Sequence, residues 1–96
     1  EKKFNRNNII VAYEPIWSIG TGKIPTVQEL KKTTIHIKKV LKGIFKKTSP
    51  AVLYGGSVDS NNVEMFKEIK EIDGFLIGGA SKTSKKFIDI IKNYYR

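Results

Sequence analysis

The sequence has 96 residues, 40% of them hydrophobic and 28% charged, a composition that suits one folded domain and argues against disorder. It has no cysteine, which excludes disulfides and thiolate metal sites, and no apolar run approaches the ~20 residues of a membrane span. The net charge of +9 comes mostly from lysines spread over the predicted helices. Base-stacking aromatics of RNA-binding modules are missing, so solvated helix faces are favoured over a nucleic-acid site.

The first predicted strand ends in a carboxylate. Residues 1–8 lack an initiator methionine and resemble the end of a helix and a linker, so we expect the chain to start within a longer protein. Residues 9–13 are apolar at every position, which is typical of a parallel strand covered on both faces. Glu14 follows, and Pro15 stops the pairing. A carboxylate at a strand end, partly desolvated by a covering loop, suits a general base; the alternative is a structural ion pair.

A long helix is predicted next. Thr26 and Glu29 have the spacing of a capping box, which predicts the start of the helix. Lys46 and Lys47 suit its negative end, so we expect the helix to end near them. His36 lies mid-helix, and we expect it at the surface or in packing rather than in catalysis. One helical face is predicted to hold Leu30, Thr34, Ile37, Leu41, Ile44 and Phe45.

Two further strands, residues 51–54 and 75–77, each run into a glycine pair. A helix is predicted between them from Asn61, with Asp59 supporting its N-terminal region. A last helix is predicted to carry Phe87, Ile88, Ile91 and Tyr94 on one side, while the middle helix turns Val63, Phe66 and Ile69 inward. The order β-α-β-α-β-α predicts right-handed crossovers and a parallel sheet. Three such strands leave both sheet edges unpaired, so the pattern indicates a slice of something larger.

The glycine pairs fall at the carboxyl edge of the predicted sheet, where α/β proteins bind ligands. Glycines there allow backbone N–H groups to approach an anion closely, and Ser57 stands beside the first pair. Each pair alone is weak evidence for a ligand and is better explained as a tight turn. The two pairs in register, with a glycine-containing loop beside them, favour a phosphate site.

Three motifs resemble the triosephosphate isomerase family. AYEPIWSIGTGK (residues 12–23) is similar to that family's active-site strand and lid loop. LYGGSV (residues 53–58) and DGFLIGGAS (residues 73–81) are similar to its last two strands and phosphate loops. The resemblance covers about residues 9–93. It implies an α/β fold, a partial TIM (β/α)₈ barrel whose last three parallel βα units are residues 9–96, with residues 1–8 ending a preceding helix or linker.

The resemblance implies an isomerase of glycolysis and gluconeogenesis that interconverts dihydroxyacetone phosphate and glyceraldehyde 3-phosphate, with Glu14 as the base. It implies phosphate binding at Gly20, Ser57, Gly78 and Gly79, and support for base and lid from Tyr54 and Leu76. The implied lid loop (residues 16–22) consists of Ile16, Trp17, Ser18, Ile19, Gly20, Thr21 and Gly22.

The same resemblance implies no cofactor, no metal, no nucleic-acid or membrane partner, and a small triose phosphate as substrate. It implies a homodimer formed through regions outside this chain and a cytoplasmic location. An organelle is the alternative, because any targeting segment would lie upstream.

Some family features are missing or altered. The family's catalytic histidine, and its substrate-binding lysine and asparagine, match no position of this chain, so we expect the chain alone to be inactive. Pro25 stands where the family has a backbone N–H that bonds the tyrosine matching Tyr54, and proline has none. We therefore expect that bond to be lost or shifted, with a Ser57–Gly22 bond still available. Ser18 stands where a small apolar residue is usual.

Other interpretations stay open. The chain could belong to another phosphate-binding barrel family, although the EPIWSIGTGK match counts against this. It could be a phosphate-binding or structural remnant without catalysis. A nucleic-acid-binding role would require a contiguous positive face.

Overall fold

The computed structural model describes residues 5–18 and 20–96. Residues 1–4 of the predicted linker and Ile19 of the predicted lid loop lie outside the described residues. One parallel sheet has the strand order β1-β2-β3. Its strands are β1 (Ile10–Tyr13), β2 (Ala51–Gly56) and β3 (Gly74–Ile77), and the helices are α1 (Val27–Ile44), α2 (Val63–Phe66) and α3 (Ser84–Tyr94), with a 3₁₀ turn at Gly79–Ser81. The predicted alternation and the parallel sheet are confirmed.

The first glycine pair belongs to a strand and not to a turn. Gly55 pairs with Leu76 and Gly56 with Ile77 in the β2–β3 register. The prediction that β2 ends at Tyr54 was therefore too short by two residues. The strand continues because glycine still offers its N–H and C=O to the ladder, while the missing side chains leave room for neighbours at the strand's carboxyl end.

The helices pack on one face of the sheet. Tyr54 of β2 is buried there against Phe66 of α2, with ring centroids 5.0 Å apart. Phe75 of β3 continues the aromatic contact to Phe66 at 5.9 Å. The buried cluster on this face is formed by Leu30, Tyr54, Val58, Val63, Phe66, Ile69, Ile72 and Ile90. The predicted inner face of the middle helix is thus confirmed.

The opposite face of the sheet is open in the described part of the chain. Ile10 is 65% exposed and Leu76 is 46% exposed. Ala12 is also exposed. The prediction that residues 9–13 are covered on both faces is therefore wrong for this structure. The cause is geometric: β1 is an edge strand, and all three helices contribute their buried residues to the other face.

Helix α1 begins as predicted and ends earlier. The Thr26 hydroxyl accepts from the Glu29 N–H, and the Glu29 carboxylate accepts from the Thr26 N–H, which completes the capping box. The helix ends at Ile44, before Lys46 (φ 56°) and Lys47 (φ 72°), which adopt left-handed backbone. The Lys47 N–H donates back to the Lys42 carbonyl at 2.6 Å, as in a Schellman closure. The two lysines thus terminate the helix instead of extending it.

Helix α2 begins at Val63 rather than near Asn61. The Asp59 carboxylate accepts from the N–H groups of Asn61 and Asn62 at 2.8 and 2.9 Å. These bonds form a side-chain turn directly before the helix and satisfy N–H groups that have no acceptor within the first turn of a helix. The interpretation of Asp59 as support for this N-terminal region is confirmed.

Helix α3 carries Phe87, Ile91 and Tyr94 on one side, as predicted, and these side chains line a small cleft with β3 together with the buried Ile90. Phe87, Ile88 and Ile91 are nevertheless 39%, 45% and 44% exposed, because the described residues cover this side of the helix only in part. Among all the described residues, no helix combines the length and the apolar character needed to cross a lipid bilayer.

Asp73 fastens the amino end of the sheet. Its carboxylate accepts from the Val52 N–H at 2.8 Å and pairs with the Lys38 ammonium at 3.0 Å. One side chain therefore joins β2, the start of β3 and helix α1. These Asp73 contacts lie at the amino end of the sheet and not at its carboxyl end.

Candidate active site

A cleft of about 650 Å³ opens at the carboxyl ends of the three strands. Backbone from β2, β3 and the loops that follow them forms most of its wall. Its lining includes the predicted residues Glu14, Gly20, Ser57, Leu76, Gly78 and Gly79, together with Gly22, Gly55, Gly56, Val58, Asp59, Ser60, Asn61, Ile77, Ala80, Lys86 and Asp89. Residues that are far apart in sequence thus share one concave surface.

The Glu14 side chain lies across β2 at Gly55. A Cβ atom on Gly55 would stand 2.7 Å from Cγ of Glu14, 3.3 Å from its Cδ and 3.4 Å from Cβ of Leu76. Only a residue without a side chain leaves this space, so Gly55 determines where the Glu14 carboxylate can sit. Leu76, on the neighbouring strand, contributes the apolar contact on the same face.

Glu14 is not engaged in a structural ion pair within the described residues. The ion pairs formed there are Lys38–Asp73, Lys85–Asp89 and Arg96–Glu64. The Glu14 side chain is exposed to the cleft. An unpaired carboxylate in a concave site remains available to accept a proton from a bound molecule.

Glycines bring main chain to the cleft from two directions. Gly20 (φ 68°) and Gly22 (φ 79°) have left-handed backbone, which glycine adopts without the penalty that other residues meet. Gly78 and Gly79 follow β3 directly and open the 3₁₀ turn. A cleft lined by such backbone, with the Ser57 side chain between the two groups, suits a small anion such as a phosphate.

Ser57 attaches the loop of residues 16–22 to the end of β2. Its hydroxyl donates to the Ser18 carbonyl at 2.6 Å and accepts from the Gly22 N–H at 2.9 Å. The predicted Ser57–Gly22 bond is thus confirmed. Asn62 holds the other side of Ser57, because its amide donates to the Ser57 carbonyl at 2.9 Å.

Tyr54 bonds a side chain of the loop and not residue 25. Its hydroxyl lies 2.9 Å from Oγ of Ser18, while Pro25 is buried and has no N–H to offer. The prediction that this tyrosine bond is shifted is confirmed. Burial raises the pKa of the Tyr54 hydroxyl above its ordinary value, and the bond to Ser18 partly opposes that rise. The Tyr54 hydroxyl is therefore neutral at physiological pH and can donate.

Two further hydrogen bonds in the described part of the loop involve Thr21. Thr21 donates from Oγ1 to the Trp17 carbonyl at 2.8 Å and accepts from the Lys23 N–H at 3.1 Å. Trp17 is 50% exposed and Ile16 is 88% exposed, and neither lines the cleft. The loop therefore touches the cleft mainly through Gly20 and Gly22.

Some contributing residues escaped prediction from the sequence. Asn62 supports the cleft through its bond to Ser57, and Lys86 and Asp89 of α3 line the cleft. Ser18 was predicted as part of the lid loop, but its bond to Tyr54 was not. The signal for that bond was a hydroxyl in the loop together with the N–H that is lost at Pro25. For Lys86 the sequence offers no signal beyond its place in a lysine-rich helix.

Comparison with known proteins agrees with the motif resemblance. The family model described as triosephosphate isomerase matches residues 1–94. Among curated relatives, the triosephosphate isomerase of Psychrobacter cryohalolentis is 49% identical over 83 residues, which is 85% of this chain and 31% of that protein. The triosephosphate isomerase of Dictyostelium discoideum is 45% identical over 92 residues, 91% of this chain and 35% of the relative. That of Chlamydia abortus is 40% identical over 92 residues, 93% of this chain and 36% of the relative. The chain thus spans about a third of the length of these relatives.

Proposed function

The chain belongs to the triosephosphate isomerase family, and from this we propose that it carries the base and the phosphate-binding wall of an isomerase. The reaction is the interconversion of dihydroxyacetone phosphate and glyceraldehyde 3-phosphate. The observation that carries the proposal is the convergence of Glu14, Gly20, Ser57, Gly78 and Gly79 on one cleft.

In the proposed reaction Glu14 moves one proton between neighbouring carbons. Its carboxylate takes the proton from the hydroxyl-bearing carbon next to the carbonyl, and the electron pair passes to the carbonyl oxygen, which gives an enediolate. The protonated Glu14 then returns the proton to the former carbonyl carbon, while the hydroxyl proton of the first carbon passes to the former carbonyl oxygen, so that the first carbon becomes the aldehyde. A glutamate base of this kind is the family's established arrangement. Gly55 and Leu76 hold the carboxylate in place for this step.

The substrate phosphate occupies the glycine-rich end of the cleft in this proposal. Backbone N–H groups of Gly20, Gly78 and Gly79 are the donors that reach it, and Ser57, whose N–H and hydroxyl bond Ser18 and Gly22, forms the wall beside them. The loop of residues 16–22 acts as the lid and excludes water. This matters because an enediolate with a phosphate on the adjacent carbon expels that phosphate readily when it is released to solvent.

The group that polarises the substrate carbonyl comes from elsewhere in this proposal. His36 is exposed on α1 and does not line the cleft, so it is not a candidate. We propose that residues 9–96 form three βα units of a (β/α)₈ barrel and that this chain alone has no isomerase activity. The dimer contacts then also lie in the rest of the barrel, and the complete enzyme is cytoplasmic.

The test uses the complete polypeptide, meaning the product of the whole reading frame that contains these 96 residues. The unchanged protein should interconvert the two triose phosphates. Glu14→Gln should lower kcat by roughly 10² to 10⁴-fold, the usual contribution of a general base. The matched control is Glu64→Gln, an exposed carboxylate on α2 that pairs with Arg96 and lies outside the cleft lining.

The control should retain the kcat of the unchanged protein. Full activity in Glu14→Gln would contradict the assignment of the base. Absence of turnover in the unchanged protein, with retained binding of inorganic phosphate, would favour a phosphate-binding protein without catalysis.

A further inference from the structure

We infer that the Ser18 hydroxyl is a positioning residue that fastens the lid loop to the end of β2, a role that rests on the function proposed above. Ser18 has no exposed surface, although it lies within a loop whose neighbours Ile16 and Trp17 are open to solvent. A buried hydroxyl in an exposed loop requires hydrogen-bond partners.

The Ser18 hydroxyl has a complete set of partners. It donates its one proton to the Lys23 carbonyl at 2.6 Å, and its oxygen lies 2.9 Å from the Tyr54 hydroxyl and 3.3 Å from the Ser57 N–H. A carbonyl can only accept, so the Ser18 proton is committed to Lys23. Tyr54 must then be the donor in the bond between the two hydroxyls, and Ser57 fills the second acceptor position.

The space for this arrangement comes from Gly56. A Cβ atom on Gly56 would lie 2.6 Å from Oγ of Ser18 and would also collide with the Tyr54 hydroxyl. Two hydroxyls can therefore meet behind the cleft only because β2 has a glycine here. Gly56 itself lines the cleft on its other side.

Tyr54 has few other ways to satisfy its hydroxyl. The Tyr54 side chain is 1% exposed, so water cannot reach it freely, and Pro25 has no N–H to bond it. Removing Ser18 Oγ leaves a buried tyrosine donor without its partner and frees the Lys23 carbonyl. Among the described residues, the hydrogen bonds that would still join the loop to β2 are those of Ser57 to the Ser18 carbonyl and the Gly22 N–H.

The first experiment measures lid attachment without reference to activity. Amide hydrogen exchange at Gly22 is followed in the complete polypeptide and in Ser18→Ala. Exchange at Gly22 should be faster by roughly tenfold in the variant, the factor that corresponds to one hydrogen bond. Ser49→Ala is the matched control, because Ser49 bonds the Pro50 carbonyl at the far end of β2. Unchanged exchange in Ser18→Ala would overturn the inference.

The second experiment couples the two hydroxyls. Ser18→Ala and Tyr54→Phe should each release more inorganic phosphate per isomerised substrate, since a loosened lid lets the enediolate break its carbon–oxygen bond to phosphate. The double variant should be no worse than Ser18→Ala alone, because Tyr54→Phe removes only the bond that Ser18→Ala has already broken. Losses that add would contradict the pairing.

The two experiments separate the inference from the proposed function. If the unchanged protein shows no isomerase activity, the proposed function fails, and Gly22 exchange still decides whether Ser18 holds the loop. If isomerisation is present but phosphate release is the same in all variants, the positioning role is refuted and the function stands.

Discussion

At the residue scale, two glycines of β2 determine where neighbouring side chains can lie. Gly55 leaves the only space that the Glu14 side chain occupies across β2, and Gly56 leaves the space in which Ser18 and Tyr54 meet. From the sequence, these glycines predicted a turn that approaches an anion. The structure assigns the first pair a steric role as well, which no propensity rule reveals because it depends on which side chains cross the strand.

A methyl group at Gly55 should therefore impair catalysis. In Gly55→Ala the new Cβ would collide with Cγ of Glu14 and displace the carboxylate. We expect kcat to fall by about 10²-fold, the effect of misplacing a catalytic group by about an ångström. Isomerase kinetics of the complete polypeptide measure this.

The matched control for that change is Gly43→Ala. Gly43 lies in α1, and a Cβ there meets nothing within 4 Å. This substitution should leave kcat unchanged and raise the free energy of unfolding by up to about 1 kcal/mol, the helix preference of alanine over glycine. Equal kcat in both alanine variants would refute the steric role of Gly55.

Tyr54 should make stability depend on alkaline pH. Its pKa in the folded protein is raised above the ordinary value of 10.0 because the hydroxyl is buried. The folded state therefore holds this proton more tightly than the unfolded state, and the tyrosine's contribution is fully present below pH 10 and is lost as pH rises through the folded pKa. The difference in unfolding free energy between the unchanged protein and Tyr54→Phe should shrink above pH 10. A difference that stays constant from neutral to alkaline pH would contradict this.

At the scale of helices and strands, some element ends could be predicted from a local sequence pattern and others could not. The capping box of Thr26 and Glu29 was legible in the sequence, because both of its bonds join residues within one turn. The exact end of α1 could not be predicted in this way, because Lys46 and Lys47 adopt the left-handed backbone that glycine usually provides. The start of α2 was also misplaced, since the Asp59 side chain closes a turn over Asn61 and Asn62 before the helix begins.

The capping box gives a prediction for helix α1. Thr26→Ala removes the side-chain acceptor for the Glu29 N–H and should lower the free energy of unfolding by about 1 kcal/mol. Thr33→Ala, in the middle of the same helix, is the control and should not destabilise, because alanine is the better helix former. Urea unfolding of the complete polypeptide checks both. An equal loss in the two variants would rule out the capping contribution.

The same element should respond to acid. Bonds to the Thr26 backbone and side chain lower the pKa of Glu29 from its ordinary value of 4.5. The stabilising contribution of Glu29 is therefore present above pH 4.5 and is lost as pH falls through the folded pKa. The gap in unfolding free energy between the unchanged protein and Glu29→Gln should close in that acid range. A gap that widens there would contradict the assignment.

At the scale of the whole molecule, the chain has two uncovered sides. Ile10 on β1 is 65% exposed, Phe87 and Ile91 on α3 are 39% and 44% exposed, and Tyr95, directly after α3, is 79% exposed. A second, smaller cleft of about 210 Å³ lies between β3 and α3. The sequence predicted three βα units and their order, but the burial of each face could not follow from it, because burial depends on strands that would stand beyond β1 and β3.

These surfaces lead to a prediction for the 96-residue chain on its own. Its exposed apolar faces should bind a hydrophobic dye. Its isomerase activity should stay at background, because the proposed function takes the carbonyl-polarising group from outside this chain. The complete polypeptide should bind less dye and turn over substrate. If the 96-residue chain isomerised triose phosphates and Glu14→Gln abolished that activity, the proposal that the carbonyl-polarising group lies outside this chain would be refuted.

The central claim is that Glu14 transfers a proton between substrate carbons through an enediolate. The most direct measurement is the reaction of dihydroxyacetone phosphate in deuterium oxide, with the product analysed for carbon-bound deuterium. The complete polypeptide should yield glyceraldehyde 3-phosphate that carries solvent deuterium, since a carboxyl proton exchanges with water, and Glu14→Gln should yield almost none. Product formed without solvent deuterium, or equal labelling by Glu14→Gln, would contradict the claim.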